Sequence, residues 1–229
     1  MHNLPIHTAI TPENQKGSLL LCGLNHGYSK EDERLDEQGI ERADTHKSFF
    51  SDKTVNDYPF RNIIVGWFDQ WGYPLEGDAG NAGPFERSIV QTNWMQSCSN
   101  NLNGTNIRKA CIDDSDSFLT TCEALKPRLI FFFSQELLWA FNSEELRSRV
   151  ESCFGKVTSP PKCVQKDVYY EGKPRTRFKF WFEEFEAVNV VAMPHATAAR
   201  GLALDYIAAF KLEMSSVIGN WWSQHKLEI

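Results

Sequence analysis

The chain has 229 residues, 41% of them hydrophobic, enough to bury a substantial core in one large domain. Its net charge of -6 argues against a protein that holds nucleic acid by bulk positive charge, although a local basic strip remains compatible with it. The six cysteines include no CxxC pair, which excludes zinc or iron–sulfur sites built from close pairs and suits reduced thiols in a cytoplasmic protein. The first residues, MHNLPIHTAITPENQKG, lack the basic and apolar regions of a signal peptide. No apolar run approaches the roughly 20 residues of a membrane helix, so no membrane partner is expected.

In chain order, the first expected strand is Ser18–Cys22, a continuous apolar run suited to burial on both faces. It leads into GLNHGYS (Gly23–Ser29) and then the acidic stretch Lys30–Glu37, either a capped helix start or a solvated loop. Phe60, Ile63, Ile64, Trp67, Phe68 and Trp71 recur at i, i+3, i+4 spacing and predict a helix over Val55–Trp71. The glycine- and proline-rich stretch Gly72–Pro84 is a loop. A strand at Arg87–Asn93 ends in TNW (Thr92–Trp94), and Ser97–Gly104 has turn chemistry. The helix Ser117–Leu125 stops before Pro127.

Leu129–Phe133 is the third strand, followed by Ser134–Gln135 and a helix beginning at Leu137–Phe141. Lys162–Tyr170 and Arg175–Phe182 flank a Glu171–Pro174 turn and predict an inserted antiparallel hairpin. The fourth strand, Val188–Ala192, leads into PHATAAR (Pro194–Arg200), and a last helix is expected over Leu204–Trp222. Alternating strands and helices argue for α/β architecture: three layers, α/β/α, around a mainly parallel four-stranded sheet, in one domain over residues 1–229 with its core at about 18–222. Ligands of such sheets sit beyond the carboxyl ends of the strands, so Asn25, Asn93 and His195 should converge there.

These segments resemble the uracil-DNA glycosylase superfamily. GLNHGYS is similar to the first motif, GxNPG, of the mismatch-specific and single-strand-selective branches. TNW resembles the second-strand element carrying an Asn, Cys122–Phe141 looks like a stretch of the iron–sulfur branch, and PHATAAR resembles the HP(S/A) motif followed by an Arg. The chain departs from the pattern at His26, Ser134, Gln135, Ala196 and Thr197, and it lacks the cluster cysteines.

The resemblance implies a monomeric hydrolase that removes uracil or a related damaged base from DNA, with no cofactor. Asn25 would position the attacking water, Asn93 would read the base edge, and His195 would donate a hydrogen bond to the leaving base. Tyr28, Phe49 or Phe50 would stack on the flipped base, while Arg200 and Leu202 would contact the DNA around the gap. Two other readings stay open: a non-catalytic binding module with this fold, and a hydrolase of small nucleosides. The alternating cations Lys173, Arg175, Arg177 and Lys179 would share one face of a strand, as a solvated edge or as a phosphate track.

Overall fold

A computed structural model describes residues 6–24, 50–51, 59–75, 82–95, 106–170, 173–175, 177–197, 199 and 201–228. Four apolar strands form its centre: β1 (Leu19–Gly23), β2 (Ile89–Asn93), β3 (Leu129–Phe132) and β8 (Asn189–Ala192). All pair in parallel, in the order β2-β1-β3-β8. Every residue of β1, β2 and β3 is buried, because helices cover both faces of these strands.

The sheet does not stop at four strands. β7 (Lys179–Phe185) pairs antiparallel with β8, and β4 (Val157–Gln165) pairs antiparallel with β7, giving a mixed six-stranded sheet. The expected inserted hairpin is therefore a continuation of the main sheet. Only its tip, β5 (Val168–Tyr170) with β6 (Lys173–Arg175), forms a separate two-stranded ladder. The expectation of a strand from Lys162 missed the start of β4 because Pro160 and Pro161 interrupt the pattern. Prolines are tolerated here because β4 is an edge strand, and its register shifts on either side of Ser159. Lys173, Arg175, Arg177 and Lys179 consequently do not lie on one continuous strand: the first two belong to β6 and Lys179 to β7.

Of the helices, α1 (Pro59–Gln70) and the single turn α2 (Pro84–Arg87) follow β1, α3 (Ile107–Asp113) and α4 (Asp116–Leu125) follow β2, and α5 (Gln135–Phe141) and α6 (Glu144–Phe154) follow β3. The expected last helix is two: α7 (Leu204–Ala208) and α8 (Lys211–His225), separated at Ala209–Phe210. The four residues of the Val55–Trp71 expectation that precede α1, 55–58, lie outside the described residues. Helix α6 was not anticipated, although Leu146, Val150 and Phe154 form a regular i, i+4 stripe that faces the core.

Two apolar clusters sandwich the sheet. On one face, α3 to α6 pack Phe118, Leu138 and Phe141 against Leu20, Cys22, Ile130 and Phe132. On the other, α1, α7 and α8 pack Trp67, Phe68, Phe210 and Met214 against Leu19, Leu21, Leu129 and Phe131. The alternation of Leu19 and Leu21 with Leu20 and Cys22 sends successive side chains to opposite layers. The thiols of Cys22, Cys111, Cys122 and Cys153 are pushed up by burial, Cys111 to about 12 and Cys153 to about 11, so they behave as small apolar side chains. No helix among the described residues is long and apolar enough to cross a membrane.

One acid is buried against the first cluster. Glu183 on β7 is 2% exposed and accepts a hydrogen bond from Asn142 Nδ2 at 2.8 Å. Burial pushes its carboxyl up to about 7, against the smaller opposing effect of that bond. The folded state thus keeps a proton that the unfolded state releases near its ordinary 4.5. The contribution of this group to stability is fully present below about pH 4.5 and is lost as pH rises through about 7. Glu183→Gln should therefore gain stability relative to wild type between about pH 5 and about pH 8, by on the order of 1–3 kcal/mol, in urea denaturation at the two pH values.

Candidate functional site

The chain leaves β1 to make β2 on one side and later returns to make β3 on the other. The helices after β1 cover one face, and those after β2 and β3 cover the opposite face. The connections therefore part beyond the carboxyl end of β1, which is the position where open α/β sheets form a crevice.

Asn93 closes β2 at this end of the sheet. It is 8% exposed, and its Nδ2 lies 3.1 Å from His7 Nε2. His7 arrives by a route the sequence did not signal. Ile6 bridges Thr92 in antiparallel fashion, the His7 N–H donates to the Gln91 carbonyl at 2.8 Å, and the Gln91 N–H donates to Thr8 Oγ1 at 3.2 Å. The leading segment thus adds to the edge of β2 and brings an imidazole to the Asn93 amide. A lone histidine without ligand spacing gave no hint of this.

Asn93 also lies against Gly23, its register partner on β1. A Cβ at Gly23 would come within 2.4 Å of Asn93 Oδ1, so the absent side chain makes room for the amide. The neighbouring Trp94 of TNW is structural: it stacks on Phe118 at 4.1 Å, and its Nε1–H donates to the Cys111 carbonyl at 2.7 Å. Ser134, after β3, caps α5 by accepting the Glu136 N–H at 3.2 Å.

His195 follows β8 at the same end of the sheet. The Met193 N–H donates to the Phe132 carbonyl, and Pro194 follows directly after it. The Thr197 N–H donates to His195 Nδ1 at 3.2 Å, which puts the proton of the neutral ring on Nε2. Burial lowers the pKa of this imidazole from its ordinary 6.5, so neutral solution holds it uncharged. Phe60, at the start of α1, sits 6.4 Å from the His195 ring and 5.2 Å from Phe133, edge-on to the latter. This half-buried aromatic is the described ring nearest the histidine, and its helical spacing had marked it only as core.

Asn93 and His195 do not touch. β1 and β3 lie between their strands, so the two chain ends stand about 14 Å apart across three strand spacings. They stand at the same end of the sheet, on either side of β1 and β3.

Asn25, Tyr28, Phe49 and Arg200 lie outside the described residues. Phe50 is 1% exposed and packs in the α1-side cluster, a burial that supports a space-filling role rather than the stacking surface expected of it. Its N–H and that of Ser51 both donate to Glu86 Oε1 at 3.0 Å, while the Arg61 guanidinium donates to the Phe50 carbonyl. Leu202 is half-buried against the same cluster, and Leu204 two residues on is the more exposed apolar side chain of this connection, at 51%. An open groove lined by Arg147, Glu151, Lys156 and Glu186 lies at the opposite pole, where β7 turns into β8.

No protein-family model matches this sequence, and no curated protein shows significant similarity to it.

The contact between Gly23 and Asn93 gives a direct test of how the site is built. Gly23→Ala should cost about 1–3 kcal/mol of stability by thermal or urea unfolding, through the forced displacement of a buried amide. Adding Asn93→Ala should recover most of that loss, because the clashing group is gone.

Proposed function

We propose that the chain is a uracil-DNA-glycosylase-like hydrolase acting on uracil or a related damaged base in DNA. The observation that supports this reading is that Asn93, at the end of β2, and His195, three residues past β8, both stand at the carboxyl end of the parallel strands. Their chemistry is complementary. An amide offers both a donor and an acceptor to the edge of a pyrimidine, and a neutral imidazole with its proton on Nε2 offers a donor to an oxygen that gains negative charge.

In this reading a base flipped from its stack enters the crevice, with Phe60 forming an aromatic wall beside His195. Asn25, by resemblance, orients a water toward C1′ of the deoxyribose. As the C1′–N1 bond breaks, its electron pair passes to the base, and the water oxygen bonds to C1′. The base leaves as an anion whose carbonyl-oxygen charge is stabilised by His195 Nε2–H, and the proton the water loses on bonding to C1′ passes to solvent, from which the released base regains one. A neutral histidine suits that task, since it donates a hydrogen bond without needing to carry a charge into a desolvated site.

A second reading, a non-catalytic binding module, draws on the engagement of Asn93 by His7. An amide already bonded and 8% exposed must exchange or share a partner before it reads a base.

Incubation with uracil-containing single- and double-stranded oligonucleotides, followed by alkali, reports base release as strand scission. Scission is expected in wild type, and His195→Ala should lower the single-turnover rate by about 10²–10³-fold, with His195→Gln falling less because it keeps a donor. Because burial lowers the pKa of His195 from its ordinary 6.5, any decline in rate on acidification should set in at lower pH than an ordinary histidine would give. Absence of scission for uracil and other damaged bases, beside an active control enzyme, excludes the catalytic reading in favour of the binding module.

A further inference from the structure

Charge is distributed unevenly along the chain. Residues 156–179 hold seven Lys and Arg against two acids, a local net charge of +5 in a protein of net charge -6. This stretch is β4, the β5–β6 tip and the start of β7.

Its topology puts the basic part beside the site. β7 runs antiparallel to β8, with Trp181 opposite Ala192, so Lys179 lies beyond the last residue of β8, level with the chain turning toward His195. Gln165, near the end of β4, pairs with Lys179, and the β5–β6 ladder emerges from there. The hairpin is pinned at this pole. Tyr206 Oη donates to the Phe178 carbonyl at 2.6 Å and lies 3.2 Å from the Phe178 N–H, and the Lys166 ammonium pairs with Glu213. Tyr206 belongs to α7, the helix that the His195 connection enters. The arm and the candidate site are therefore held by one short segment of chain.

The surface of the arm combines two chemistries. Lys162, Lys173, Arg177 and Lys179 are exposed. Tyr169 on β5 is 67% exposed, next to Tyr170, the register partner of Lys173. Tyr169 and Lys173 fall on opposite faces of the short β5–β6 ladder. The tip thus offers an exposed ring and exposed cations within reach of one flexible single strand, which uses both because every base has a face to stack and every linkage a charge to neutralise. An acidic protein partner would use the cations but would leave the exposed ring without a role.

We propose that the β4–β7 hairpin, through Lys173, Arg177, Lys179 and Tyr169, is an arm that binds single-stranded nucleic acid and leads it toward His195 at the carboxyl end of the sheet. The choice of DNA as the strand rests on the base-excision reading; the arm itself is tested by binding alone.

The test is fluorescence anisotropy of a short labelled oligothymidylate, which contains no uracil, over a range of salt. The comparison is between wild type, a Lys173→Gln/Arg177→Gln/Lys179→Gln variant, Tyr169→Ala, and an Arg147→Gln/Lys156→Gln control at the opposite pole. All substitutions are at exposed positions, and thermal unfolding checks that each variant is folded. The triple variant should bind about tenfold more weakly at ~0.1 M salt, with a log–log salt slope shallower by about two. Tyr169→Ala should lose about fivefold or more with little change in slope, and the control should match wild type. Equal losses in the triple variant and the control, wild-type affinity in the triple variant, or tighter binding of polyglutamate than of the oligonucleotide would each overturn the proposal. Binding with this pattern but no release of uracil from an otherwise identical strand would leave the arm standing and remove the base-excision reading. Uracil release with an indifferent triple variant would do the reverse.

Discussion

Parallel pairing of β1 on both of its edges is the constraint from which the rest of the molecule follows. A strand bonded to β2 on one side and β3 on the other is buried on all sides, which explains why its residues are Leu19, Leu20, Leu21, Cys22 and Gly23 and contain no charge. Because the chain departs to one side and returns on the other, its helices divide between the two faces. The carboxyl end of β1 is then the place where the connections to β2 and β3 part, the position at which ligands of open α/β sheets bind. Gly23 stands at that end, and the lack of a side chain there lets the amide of Asn93 lie over the strand.

Much of this was legible in the sequence because the central strands are continuous apolar runs. All four parallel strands fall within two residues of where their composition put them, and the polar residues that end them sit at one pole of the sheet. The outer strands were harder to read. β4 carries Pro160 and Pro161, which an edge tolerates and a pattern search rejects, and so the main sheet's continuation looked like an inserted hairpin. The break at Ala209–Phe210 was hidden because the apolar stripe of Tyr206, Phe210 and Met214 runs through both α7 and α8 and packs on one cluster.

Asn93 and His195 were singled out by position at strand ends, and the strand pairing puts both at the carboxyl end of the sheet. His7 was invisible, because its role depends on the leading segment pairing with β2 across more than eighty positions of sequence. Phe60 was visible only as part of a helical stripe, since spacing identifies the packed face of a helix but not which member of that face sits at the rim. The tautomer of His195 depends on a local turn that offers the Thr197 N–H, two residues on, to Nδ1, a conformation that spacing alone does not reveal. The basic arm illustrates the opposite case. Its charge is plain in the sequence, and its relation to the site emerges only from the antiparallel pairing of β7 with β8.

The account's central claim is that Asn93 and His195 form the two walls of one pyrimidine-sized site. The most direct test follows the side-chain amide of Asn93 and the ring nitrogens of His195 by nitrogen-15 NMR while uracil is titrated into the protein. The account predicts that both sets of signals shift along one binding curve, with the His195 Nε2–H moving in the direction of a stronger hydrogen bond. If uracil saturates the protein while these signals stay fixed, or if only one of the two residues responds, the two-walled site is wrong.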